Sequence, residues 1–231
     1  MDKIDTEHFD LVFLIISSDD LECYSKMRYY IRQYFSLYKK QIKYYFIELK
    51  EDIECDVYEK DDYLYIKGTE NITPGMYIKT MKSMQYINTN YNYDFLIRTN
   101  LSSFWNLDNI LEIKNNLPLT HFCGGHRPFN SFISGTSIIL SKDVCINLSK
   151  SIQIYNQFED VYISDLLINL GYNINHIENY SNYKVLWLVN NNNKIDHISN
   201  INNYLYFRIK NADRNIDLEL FNKLCDVIYK L

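Results

Sequence analysis

The sequence has 231 residues, 47% of them hydrophobic and 16% aromatic, with a formal net charge of −5. That length suits one large α/β domain, the apolar share suffices for a full core, and the acidic balance excludes a general basic field for nucleic acid or a membrane surface. The cysteines (Cys23, Cys55, Cys123, Cys145 and Cys225) are odd in number and never at a CxxC spacing, which argues against a disulfide framework or zinc site and for a reducing compartment.

The chain opens with Asp2, Asp5 and Glu7, unlike a signal peptide. No apolar run is long enough to span a bilayer. The expected protein is therefore cytoplasmic and has no membrane span. The excess of Tyr, Asn, Ile and Lys matches AT-rich codons, as in a large DNA virus or an AT-rich microbe. A viral source would place the protein in host cytoplasm or a virion.

Residues 10–18, DLVFLIISS, form a short continuous apolar run ending in small polar residues, which predicts a buried parallel strand. Asp19 or Asp20 can cap a helix over residues 21–38. Strands are predicted over residues 44–49 and 63–67, and Thr73, Pro74 and Gly75 open a helix carrying Met76, Thr80, Met84 and Ile87. A strand over 93–99 and a helix over 107–114 follow. Alternating strands and helices predict an open, mostly parallel sheet, with ligands at the carboxyl ends of its strands. Residues 17–20, 68–70 and 99–102 fall at those ends, Ser17 and Asp19 among them.

The second half predicts a strand over 132–140 interrupted by Gly135, helices over 142–150 and 161–170, strands over 184–189 and 204–209, and a final helix over 217–229. The Asn-rich run 190–193 reads as a loop. No internal repeat or linker stands out. One domain over residues 1–231 is expected.

Three segments, in this order, carry a resemblance. Residues 93–106 read YDFLIRTNLSSFWN, residues 132–143 read FISGTSIILSKD, and residues 159–164 read EDVYIS. They resemble the strand ending in DDD, the "SGGGYVLSRD" segment and the "EDVYVG" motif of inverting β-1,3-galactosyltransferase-like enzymes. Gly68, Glu70, Pro74, Gly75, Lys79 and Thr80 resemble the stretch before the DDD strand in related bacterial and viral transferases. The resemblance covers most of the chain from about Leu11 onward.

It implies a GT-A-like α/β fold: a mixed, mostly parallel central sheet flanked by helices. It also implies a nucleotide-sugar-binding half to about residue 118 and an acceptor and catalytic half from about residue 119. The implied activity is inverting transfer of a sugar from a nucleotide-diphosphate donor, UDP-linked in most such enzymes, to a glycan or glycoprotein hydroxyl. Asp160 is implied as the base, with Glu159 as its support or substitute. Ser17, Asp19, Lys79, Arg98, Asn100 and Ser102 are implied for donor binding, and Gly135, Thr136 and Trp105 for the acceptor cleft.

The sequence departs from the family at the DDD positions, which read Asn100, Leu101 and Ser102. Neutral ligands hold a hard divalent cation more weakly than carboxylates do. No metal is therefore expected to be required, although Mn²⁺ or Mg²⁺ is not excluded. Arg208 and Lys210 alternate along a predicted strand and would share one face, and with Arg214 they offer substitute charge for the diphosphate. His121, His126 and His197 suggest no metal set, and Trp105 and Trp187 read first as core. A non-catalytic relative that binds a sugar nucleotide or glycan also fits the loss of DDD; the retained Glu159 and Asp160 and the basic residues favour an enzyme. Neither GxGxxG after the first strand, nor GxxxxGK[ST], nor GxSxG is present, so dinucleotide, P-loop and nucleophile-elbow readings lack their motifs.

Overall fold

A computed structural model describes residues 7–18, 21–151, 157–189, 198 and 200–231. Asp19, Asp20, His197 and the run 190–193 lie outside the described residues. No helix among those described is long and apolar enough to cross a membrane.

The apolar runs form strands as their patterns require. The first strand, β1 (His8–Ile16), pairs in parallel with β2 (Ile42–Lys50) on one side and β5 (Asn92–Asn100) on the other. Beyond β2 lie β4 (Tyr63–Lys67), parallel to it, and β3 (Val57–Lys60), antiparallel to β4. Beyond β5 come β8 (Ile138–Ser141), β7 (Cys123–Gly125) and β9 (Ile174–His176), completing an eight-stranded sheet in the order β3-β4-β2-β1-β5-β8-β7-β9. Both halves of the chain contribute strands to it.

Buried on both faces, β1 alternates between two cores. Leu11, Phe13 and Ile15 pack with α1 (Glu22–Phe35), α3 (Leu107–Lys114) and α6 (Arg214–Leu224). Val12 and Leu14 pack with α2 (Gly75–Asn90), α4 (Lys142–Ser149) and α5 (Glu159–Asn169). This two-faced burial is why the strand sequence reads as continuously apolar.

A second, three-stranded sheet, β10-β11-β6, comprises β10 (Lys184–Leu188), β11 (Tyr204–Ile209) and β6 (Ser103–Trp105). Because β6 follows β5 after a two-residue turn, the late strand β11 returns to the carboxyl end of β5: Ile209 N–H donates to Ser102 O at 2.9 Å, and Asn106 N–H to Leu205 O at 2.9 Å.

Several expectations need correction. The predicted strand over 132–140 shrinks to Ile138–Ser141, because the preceding polar residues bond to side chains and loops rather than to a ladder. The last helix starts earlier, capped by Asp213, whose carboxylate accepts from Asn215 N–H, and its final stretch is the π-helical turn Cys225–Tyr229. The first helix ends at Phe35 in a 3-10 turn, Ser36–Tyr38.

Candidate active site

The central sheet reverses its strand order at β1, flanked by β2 and β5, and this switch point is where open α/β sheets form a ligand crevice. On the β1 side, the polar groups are already taken. Ser17 Oγ accepts from Arg28 Nη1 at 3.0 Å, and the Lys79 ammonium donates to Ser17 O at 2.9 Å and to Glu70 Oε1 and Oε2 at 2.7 and 3.0 Å. Lys79 is 1% exposed and its three N–H groups meet three acceptors, so it ties α2 to the sheet and has none left for a donor. Arg28 and Glu48, both buried, form an ion pair beside it at 3.3 Å that the sequence reading missed. A charged residue inside the apolar run 42–50 was its one sequence signal.

On the β5 side, the three resemblance segments converge. Arg98 is buried, and its guanidinium donates to both carboxylate oxygens of Glu159, to Asn100 Oδ1 at 2.9 Å and to Gly135 O. Glu159 is also buried and accepts from Thr80 Oγ1, so both of its oxygens are occupied. Asp160, next along at the start of α5, is partly exposed; its Oδ2 accepts from Gly135 N–H and its Oδ1 from Val161 N–H, both at 3.0 Å. One residue thus supports the site from below and the next presents a carboxylate to it, because successive side chains at a helix start point in different directions.

Gly135 lies between the two. A Cβ there would stand 2.8 Å from Arg98 Nη1 and 3.4 Å from Asp160 Cβ. The guanidinium is held by four acceptors and cannot swing aside. Gly135→Ala should cost about 1–3 kcal/mol in urea unfolding, and an unchanged midpoint would show that the loop yields more easily than this packing implies.

Thr136 is buried, with Oγ1 2.7 Å from the Tyr206 hydroxyl, which also lies 3.1 Å from Ser137 Oγ. This links the 134–137 loop to β11, where Arg208 follows two residues on. Arg208 Nη1 donates to Ser102 Oγ, in the turn after β5, and Arg208 has no carboxylate partner among the described residues. Burial lowers its guanidinium to about 10, and the charges of Arg214 and Arg98 push the same way, but it remains cationic at neutral pH. Arg214 is paired with Asp217 and stacks over the Tyr24 ring at 5.5 Å, while its Nε has no partner among the described residues. Lys210 is exposed and lies past the end of β11 at Ile209, so it does not continue the strand alternation expected of it.

Trp105 is not a cleft residue. It is 1% exposed, its Nε1–H donates to Thr99 Oγ1 at 2.9 Å, and its ring stacks on Tyr206 at 4.7 Å. Trp187, read as core, is the exposed tryptophan at 40%.

Residues 100–102, where the resemblance would place metal-binding carboxylates, do not suit a divalent cation. Asn100 Oδ1 and Ser102 Oγ each accept from an arginine, and Leu101 between them is apolar and buried. A metal there would face two guanidinium groups. Among the described residues, one cluster could hold a metal, His8 with Asp10 and Asp94. It lies at the opposite ends of β1 and β5, and the Lys114 ammonium already pairs with both of its carboxylates.

No protein-family model matches the sequence, and no curated protein matches it. Among solved structures, the chain is similar to a glycosyltransferase involved in the glycosylation of the major capsid of PBCV-1, with a TM-score of 0.51 and 10% identity over 93% of this chain and 99% of that one. The likeness is one of fold: the mixed, mostly parallel sheet flanked by helices is shared with a glycosyltransferase.

Proposed function

We propose that this chain is an inverting glycosyltransferase that moves a sugar from a nucleotide-diphosphate donor to a hydroxyl of a glycan or glycoprotein, without a required metal. The observation that carries the reading is one crevice edge holding a partly exposed carboxylate, Asp160 at the start of α5, bonded to the Gly135 loop, and a guanidinium without a carboxylate partner among the described residues, Arg208, joined to that loop through Tyr206 and Thr136.

The chemistry follows from these groups. Asp160 takes the proton of the acceptor hydroxyl as its oxygen bonds to the anomeric carbon. The bond from that carbon to the diphosphate breaks on the opposite face, and the leaving group departs with the electron pair. Arg208, reinforced by Arg214 and the exposed Lys210, takes up the charge developing on the diphosphate. Arg98 and Glu159 neutralise each other and hold the Gly135 loop in place. Asn100 and Ser102 position the two arginines and offer remaining polar edges to the donor. The acceptor hydroxyl lies within reach of the Asp160 carboxylate, and the missing side chain of Gly135 lets Arg98 pack beneath the loop.

The test is thermal stability with a panel of nucleotide sugars, UDP-linked ones first, each with Mn²⁺ and with EDTA. A donor at 100 times its dissociation constant should stabilise by about 2.7 kcal/mol. The shift should persist in EDTA and shrink in Arg208→Ala, whose lost charge-assisted bonds correspond to about 1.5–3 kcal/mol. A shift that requires Mn²⁺ would overturn metal independence. No shift with any nucleotide sugar would overturn the transferase and leave a glycan-binding relative.

A further inference from the structure

One wall beside this crevice has no part in the chemistry above. Trp187 on β10 pairs in register with Arg208 on β11, so the two side chains share a face of the small sheet. The Trp187 indole is 40% exposed, and its centroid lies 5.7 Å from the His126 ring. His126 in turn meets the His176 ring nearly edge-on, at 5.7 Å and 88°. The backbone of His126 is anchored to the loop that carries Gly135: its N–H donates to Ser137 Oγ at 2.9 Å, and its carbonyl accepts from Ser134 N–H at 2.8 Å. His126 Nδ1 is buried without a partner among the described residues. Burial, with His176 adding to it, lowers the pKa of His126, so its ring is neutral at pH 7 and offers a donor and an acceptor. Glu178, 3.9 Å from His176 Nδ1, adds a carboxylate.

The mixture selects the ligand class. A protein-docking patch would need a contiguous apolar area of several hundred Å², whereas here one aromatic face is rimmed by imidazoles, a guanidinium and a carboxylate. A pyranose matches that composition. Its C–H face packs on the negative π face of an indole, and its rim hydroxyls suit imidazole nitrogens and a carboxylate. We propose that Trp187, His126 and His176 form a sugar-binding subsite that holds a pyranose of the acceptor glycan, adjoining the one whose hydroxyl is deprotonated. Its place in the reaction rests on the transferase reading; its binding of sugar does not.

The two tryptophans make the test direct. The Trp105 indole N–H is buried and bonded to Thr99, and that of Trp187 is on the exposed side chain, so a ¹H–¹⁵N spectrum should show two distinct indole resonances, of which Trp187→Phe removes one and thereby assigns it. Methyl glycosides of galactose, glucose, fucose and xylose are then titrated to about 50 mM, enough to reveal a millimolar dissociation constant. At least one should shift the Trp187 resonance saturably and leave that of Trp105 in place. Saturation transfer from protein to the same glycoside should report binding weakened by about 2–10-fold in Trp187→Ala and His126→Ala and retained in Trp187→Phe. A Trp187 resonance unmoved by every glycoside, or binding unchanged in Trp187→Ala, would overturn the subsite. No donor is present, so a failure of the nucleotide-sugar experiment leaves this result standing, and the converse also holds.

Discussion

Asp160→Asn should lower sugar transfer by about 10²–10⁴-fold, the range that a positioned general base contributes, while donor binding and folding persist. The folded state should tolerate the change because an amide oxygen can still accept from Gly135 N–H, the contact that Asp160 Oδ2 makes now. What is lost is the ability to take a proton, together with a favourable negative charge in the first turn of α5, a loss of about 0.3–1 kcal/mol. Single-turnover transfer measured beside nucleotide-sugar thermal shifts separates the two effects. Transfer within a few-fold of the parent would remove Asp160 from the mechanism. Glu159→Gln should lower activity through a different route, by loosening the Arg98 contact, and so should lower stability in parallel.

The second large effect concerns that contact. Arg98 and Glu159 are each 2% exposed at the side chain and in direct ion-pair contact. Removing one partner of a buried pair strands the other, at a cost of about 3–5 kcal/mol. Arg98→Met and Glu159→Ala should each lower the melting temperature by roughly 6–20 °C, taking about 2–4 °C per kcal/mol for a chain of this size. The double variant should be less destabilised than the sum of the two, because neither charge is then left alone. Additive losses in calorimetry would show that the two residues stabilise the fold through separate contacts. Arg98 also donates to Gly135 O and Asn100, so part of its single-variant loss should remain in the double variant.

Which parts of this arrangement were legible in the sequence depends on how local the cause is. The runs that became β1, β2 and β5 disclose themselves, because burial on both faces writes an apolar stretch into one segment. The helix Leu107–Lys114 was legible to its ends, with Asn106 capping it through Asn109 N–H. The strands β3, β6, β7 and β9 were not, since three or four residues are too few to develop a period and their pairing comes from distant partners. The same division holds in the site. Asp160 and Gly135 were visible as motif residues, and the structure brings them within one hydrogen bond. Arg98 invites a phosphate reading from its place before Asn100, yet its carboxylate lies 61 residues away. Lys79 is consumed by Glu70, nine residues earlier, and by the backbone carbonyl of Ser17, just past β1, which no side-chain pattern reveals. Trp105 and Trp187 sit in similar apolar runs, but the first meets Phe13 edge-on and stacks on Tyr206, and the second lies on an outer strand of the small sheet.

The bond between Arg208 and Ser102 spans 106 residues of chain. On a ribosome adding about 5–20 residues per second, roughly 5–20 s separate the synthesis of the two. During that interval β1, β2 and β5 can already pair, while β6 waits for its partner and the turn at residues 100–102 faces Arg98 alone. On the function proposed above, the nascent protein acquires its sheet before it acquires the guanidinium assigned to the diphosphate, and donor binding is expected among the last properties to appear as the chain is made.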